Sequence, residues 1–204
     1  MFDLDGTLVD SKPGIVDSLK YALSFYGIIE NDEEKLNSFI GPPIHISMFN
    51  NYGFDEQKSM EVTMRYRQRY AEKGIFQCAV FPKAKDALKV LAERGASICL
   101  ATSKPQIYAE SILKRFGLKG YFNFIQGADM AGKFCEKFDI ITACVSALSL
   151  DKNKTLMVGD RKYDVLGAKL AGIKCAGVLC GYGGRAELSA AGADYVIENI
   201  GELI

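Results

Sequence analysis

The chain has 204 residues, 49% of them apolar, and its 25 Lys and Arg balance its 25 Asp and Glu. This composition suits a globular protein with a sizeable core, and a net charge of zero argues against an electrostatic nucleic-acid binder and gives no polybasic membrane signal. No apolar run approaches the roughly 18 residues of a membrane span, and the start lacks the basic and apolar regions of a signal peptide.

"MFDL" reads as the end of a strand, followed at once by a glycine. A helical pattern from Pro13 to about Tyr26 carries Val16, Leu19, Leu23 and Tyr26 on one face. Pro13 suits its first turn and Gly27 its stop, and Asp10 and Ser11 read as caps for it. "DEEKLNSFI" and "PPIHISMFNNYG" predict two short helices, and "DEQKSMEVTMRYRQRYAEKG" a long one ending near Gly74. No strand pattern occurs between about 13 and 78. After "VFP" the texture changes. Helix "PKAKDALKVLAERG" leads to strand "ASICLAT", and helix "PQIYAESILKRFG" to a strand in "YFNFIQGA". Then come helix "KFDIITACVSALSL", strand "KTLMVGD", helix "KYDVLGAKLAG", strand "IKCAGVLCG", short helix "AELSAAG" and a last strand in "ADYVIEN". Such alternation, with near-continuous apolar strands, predicts a Rossmann-like, doubly wound parallel sheet covered on both faces. The expected organisation is an α/β core from residues 1–12 and 80–204, interrupted by a helical unit at 13–79. Hinges are expected near Ser11–Gly14 and Cys78–Pro82. The six cysteines, Cys78, Cys99, Cys135, Cys144, Cys175 and Cys180, show no C-x-x-C spacing, and several lie in apolar runs. They read as thiols of a reducing, cytoplasmic protein.

Ligands of open α/β sheets bind beyond the carboxyl ends of strands. There the first strand delivers Asp3, Asp5, Gly6 and Thr7, "ICLAT" delivers Thr102 and Ser103 followed by Lys104, and "TLMVGD" delivers Asp160 with Asp164 one helical turn on. Lys137 opens a helix that could reach inward. Two carboxylates about 4 Å apart repel by roughly 4 kcal/mol at an effective dielectric near 20, so gathering four of them calls for a cation. The donors are all oxygens, which points to Mg²⁺. The remaining groups suggest phosphoryl chemistry: a carboxylate nucleophile, a second carboxylate to carry protons, and a hydroxyl, amides and a lysine to hold phosphate oxygens.

"DLDGTLVDS", "LATSK", Lys137 and "GDRKYD" resemble, in order, the four motifs of the haloacid dehalogenase-like (HAD) hydrolase superfamily. The resemblance spans nearly the whole chain and is greatest to phosphoglycolate phosphatase-like members, whose closing segment "GVLCGYGGRAEL" also resembles. It implies that the helical unit is an α-helical cap. It implies Asp3 as the nucleophile that forms an aspartyl-phosphate, and Asp5 as the general acid/base. Thr102 and Lys137 would bind the phosphoryl group, with Gly6 and Ser103 beside it. Asp3, Asp160, Asp164 and the Asp5 carbonyl would serve Mg²⁺. Dehalogenases of the superfamily lack an acid at the Asp5 position, so a phosphate ester is favoured. The cap loop "FIGPPI", with Gly41 and Pro42, is expected to meet substrate. The implied activity is hydrolysis of a small phosphomonoester such as phosphoglycolate, by a monomer or homodimer that binds no nucleic acid and no membrane. Alternatives are a 5′-nucleotidase, a pyrophosphatase, a sugar-phosphate mutase, or a non-catalytic binding protein on the same fold.

Other readings carry less. A calcium loop starting at Asp3 would need Glu where Gly14 stands. "GADMAGKF" at 127–134 nearly matches a P-loop, but Phe134 replaces the hydroxyl that would hold Mg²⁺. Lys133 rivals Lys137, yet Lys137 directly precedes the helix. His45, the single histidine, reads as structural, and so do Arg65, Arg67 and Arg69 on a solvated helix surface and the Tyr66–Tyr70 pair. Only Met1 and Phe2 precede Asp3, whereas strands typically run about 5–6 residues. The natural chain is therefore expected to start a few residues earlier.

Overall fold

In the computed structural model, which describes residues 1–130 and 134–204, the chain falls into two units. One comprises Met1–Asp10 with Val80–Ile204, the other Ser11–Ala79. In chain order the elements are β1 (Val9–Asp10), α1 (Lys12–Ser24), α2 (Glu33–Ser38), α3 (Ile44–Tyr52), α4 (Glu56–Glu72), β2 (Ala79–Val80), α5 (Ala84–Glu93) and β3 (Cys99–Pro105). They continue with α6 (Gln106–Arg115), β4 (Phe124–Ala128), α7 (Lys137–Ala147), β5 (Leu156–Gly159), α8 (Lys162–Ala171), β6 (Lys174–Val178), α9 (Arg185–Ala191) and β7 (Tyr195–Ile197).

The first unit is a parallel sheet with helices on it. β3 pairs with β4, and β5 with β6 and then β7, all parallel. The opening residues join the two halves. Phe2 bridges in parallel to both Leu100 and Val158, so the order is β4-β3-Phe2-β5-β6-β7. The very short first strand is thus central, and its backbone groups are paired on both sides: Phe2 N donates to Cys99 O at 2.8 Å, Asp3 N to Val158 O at 2.9 Å, and Val158 N to Met1 O at 2.9 Å. Such strands are buried on both faces and so are apolar throughout. Met1, Ala101, Met157, Cys99 and Cys175 pack with Ile140, Ile141 and Cys144 of α7 and Val165 and Ala168 of α8. Cys99, Cys144 and Cys175 are buried in this core. The doubly wound parallel sheet read from the sequence is the fold observed. A two-residue ribbon of β1 and β2 is an addition, too short to leave a sequence pattern.

In the helical unit, α2 and α4 start on the capping carboxylates of Asp32 and Asp55, the latter accepting from Lys58 N at 2.8 Å. α1 does not start as expected. Ser11 occupies its N-cap position but makes no capping bond through its side chain. The reason lies in the next residues: Pro13 has no N–H to offer, and Gly14 N already donates to Gln77 O at 3.1 Å. Asp10, expected as a second cap, instead accepts from the Tyr182 hydroxyl at 2.9 Å within the first unit. Tyr66 and Tyr70 stack with centroids 5.7 Å apart. Arg69 pairs with Asp17 at 3.0 Å, and Arg65 lies over the Phe25 ring. Among the described residues, no helix is long and apolar enough to cross a membrane.

Candidate active site

The ends of the central strands bring the acidic groups together. Asp3 follows Phe2, Asp160 follows β5, and Asp164 lies in the first turn of α8. Oxygens of the three carboxylates lie within 4.8 Å of one another, and the residues are only 8%, 0% and 1% exposed. Lys137, the first residue of α7, reaches among them. Its Nζ lies 3.0 Å from Asp3 Oδ1 and 2.7 Å from Asp164 Oδ1, and donates to Ala101 O at 3.0 Å. Gly167 of α8 admits the lysine stem, since a Cβ there would stand 2.8 Å from Lys137 Cγ. Asp164 also caps its own helix, Oδ2 accepting from Arg161 N at 3.1 Å. Asp160 Oδ2 accepts from Tyr182 N at 2.8 Å, and the Thr7 hydroxyl donates to Oδ1 at 3.5 Å.

Burial decides the electrostatics. Desolvation pushes the Asp3 carboxyl up to about 6; Lys137 pulls it back, Asp164 raises it further, and the Thr102 hydroxyl lowers it. Asp160 is raised well above the usual carboxylate range, first by burial and then by Asp164 and Asp3. Burial works against the Lys137 ammonium too, yet Asp164 and Asp3 outweigh it and hold its pKa above that of an ordinary lysine. With all groups ionised, three carboxylates and one ammonium leave two negative charges. Asp3 Oδ1 and Asp164 Oδ1 are buried beside Lys137 with no hydrogen-bond donor aligned on them. An all-oxygen pocket with this charge and these open lone pairs fits a hard divalent cation.

Gly6 forms a wall of this pocket. It stands at φ +79°, and a Cβ there would overlap the Asp160 carboxylate. A left-handed backbone costs an L residue about 1–2 kcal/mol, and the overlap adds to that. Gly6→Ala should therefore destabilise the fold by at least about 2 kcal/mol and displace Asp160. A urea unfolding midpoint equal to wild type would show that the turn relaxes instead.

The remaining expected residues are distributed as follows. Thr102 is buried within β3, its Oγ1 accepting from Lys104 N at 3.2 Å. Ser103 turns aside, and its hydroxyl donates to Cys135 O at 3.4 Å. The Asp5 carboxylate is not part of the three-acid cluster. It is held by Lys104, whose Nζ lies 3.0 and 2.9 Å from its two oxygens. Gly41 and Pro42 belong to the other unit, between α2 and α3, with His45 in the first turn of α3. Lys133, the rival of Lys137, lies outside the described residues, as does part of the P-loop-like segment. Two contacts were not expected from the sequence. Lys104 is two residues beyond Thr102, a spacing that puts both on one face of a strand, which was a usable signal. Tyr182 serves Asp160 through its backbone amide, which leaves no side-chain signature.

Residues 1–178 match the family model of the haloacid dehalogenase-like hydrolases. The chain belongs to this family. A 5′-nucleotidase of Pseudomonas aeruginosa is 38% identical over 190 residues, covering 93% of this chain and 86% of that protein. A phosphoglycolate phosphatase of Chromobacterium violaceum is 31% identical over 209 residues, covering 99% and 92%. The crystal structure of a predicted phosphatase from Clostridium acetobutylicum superposes with a TM-score of 0.95 at 38% identity, covering 99% of this chain and 94% of that one. The likeness to phosphoglycolate phosphatases read from the motifs is therefore found again in whole-chain similarity. Asp3, Asp5, Thr102, Lys137, Asp160 and Asp164 of this HAD-like hydrolase all fall within the matched residues.

Proposed function

We propose that this HAD-like hydrolase is a Mg²⁺-dependent phosphatase of the cytoplasm, acting on a small phosphomonoester through an aspartyl-phosphate. The observation that supports this best is the pairing of two differently held carboxylates. Asp3 lies in the three-acid cluster beside Lys137, while Asp5, two residues on, stands outside it on Lys104. One chain turn thus carries a nucleophile and a separate proton carrier. Asp3 attacks phosphorus as the bond to the leaving oxygen breaks, and Asp5 gives its proton to that oxygen. Water then attacks the aspartyl-phosphate, gives a proton to Asp5 and frees Asp3. Thr102 and Lys137 hold phosphoryl oxygens as charge moves between them. Asp3, Asp160 and Asp164 are the side chains that would hold Mg²⁺, with the Asp5 carbonyl as a further donor. The ion would supply charge stabilisation worth several kcal/mol.

Phosphoglycolate is one candidate substrate, and relatives of that name support it. Nucleoside 5′-monophosphates are the second reading, favoured by the 38%-identical 5′-nucleotidase. Inorganic phosphate release from p-nitrophenyl phosphate, phosphoglycolate and a nucleoside 5′-monophosphate, with Mg²⁺ and in excess chelator, tests both. We expect chelation to lower turnover at least about 10²-fold, as several kcal/mol of charge stabilisation implies. Undiminished turnover in chelator would refute the metal-dependent mechanism.

A further inference from the structure

Lys104 is a buried cation that the mechanism above leaves without a part. It is 7% exposed overall, and its side chain in the Asp5 pair is 4% exposed against 14% for Asp5. Taking an ammonium out of water is expensive, and a buried ion pair seldom stabilises a fold more than apolar residues of the same volume would. The local backbone is also unusual. The pairing of β3 with β4 shifts register between Ala101 and Pro105, so Thr102, Ser103 and Lys104 lie in an irregular stretch at the carboxyl end of the strand. Such bulges re-aim side chains next to sites. Gly127 of β4 permits this one, because a Cβ there would stand 2.7 Å from Lys104 O and from Gln106 Cα. The stretch sends Thr102 and Lys104 into the site and Ser103 away from it.

We propose that Lys104 is the positioning residue for the proton carrier Asp5, a role that rests on the phosphatase reading. One ammonium close to both carboxylate oxygens, at 3.0 and 2.9 Å, fixes the plane and the rotamer of the side chain. In the transfer step Asp5 enters protonated on one oxygen while the other accepts from Lys104; the Asp3 oxygen–phosphorus bond forms, the phosphorus–leaving-oxygen bond breaks, and the Asp5 proton passes to the leaving oxygen. Lys104 gives up no proton. It keeps Asp5 pointed at the oxygen that needs one.

The demand for that proton depends on the leaving group. A simple alkyl ester leaves as a strongly basic alkoxide unless protonated, whereas p-nitrophenolate leaves unaided. The test compares kcat/KM, which reports the first transfer, for an alkyl phosphate and for p-nitrophenyl phosphate in saturating Mg²⁺. Lys104→Met should lose about 10²-fold or more on the alkyl ester, the usual worth of a positioned general acid. It should stay near wild type on the aryl ester. In an Asp5→Asn background the same substitution should cost nothing further on the alkyl ester, because the two residues act as one unit. Lys104→Arg should recover part of the alkyl activity. Lys104→Gln gives the same comparison should the methionine variant not fold. Equal losses on both esters would make Lys104 a phosphate-binding cation and overturn the proposal, as would a loss that multiplies with Asp5→Asn, or no loss at all. A wild-type protein inactive on both esters would remove the phosphatase reading itself, and this role with it.

Discussion

Asparagine in place of Asp3 should abolish phosphate release, by about 10⁴-fold or more, because an amide cannot serve as the nucleophile of the proposed aspartyl-phosphate. The same substitution should make the metal-free protein more stable. Burial raises the Asp3 pKa to about 6 from 3.8, so at pH 7.5 the folded chain holds an ionised group that it would rather keep neutral. An amide removes that charge. Calorimetry in chelator should then show a higher melting temperature for Asp3→Asn than for wild type, with a smaller rise on adding Mg²⁺. A variant that melts lower in chelator would mean that the ion pair with Lys137 outweighs the burial of Asp3. Function and stability pull against each other at this residue.

Removing Lys137 should do the opposite to the fold. Lys137→Met leaves Asp3 and Asp164 buried without their cation, and breaking a buried pair in this way typically costs 3–5 kcal/mol. The loss should depend on pH. Between the unfolded value of 3.8 and the folded value of about 6, the native state binds more protons than the unfolded chain. Stability therefore falls as pH rises through that window, and the full penalty is present above it. Without Lys137 the folded value moves higher still, so the window widens upward. Urea midpoints in chelator should show a large deficit for Lys137→Met at pH 7.5 and a much smaller one at pH 5. An equal deficit at both would assign the contribution of Lys137 to packing of its stem against Gly167. Turnover should also collapse, since Lys137 is proposed to hold the phosphoryl group.

The strands of the core were legible because they are short, largely apolar runs set between helical patterns, as in "ICLAT" and "TLMVG". The periodicity of α1 and of α4 was equally open to reading. The β1–β2 ribbon was not, since two-residue strands have no period. The failed cap at Ser11 was readable in principle: a proline two residues on removes the amide that a serine would bind. Asp3, Asp160 and Asp164 could be paired by motif order, but their convergence with Lys137 depends on a sheet order that puts residue 2 between residues 100 and 158. Lys104 was readable as a neighbour of the site from its spacing to Thr102, but its pairing with Asp5 was not, because that depends on the first strand lying beside β3.

That sheet order also bears on how the protein folds. The two halves of the sheet meet at the first three residues, whose partners lie half a chain and three-quarters of a chain away. Contacts so distant along the sequence form slowly, because much chain entropy is lost before they reward it. Asp3 meets Asp160 and Lys137 only when this central strand is seated. A chain in which this strand is not yet seated lacks the Asp3 corner of the cluster, so the site is complete only when the sheet is.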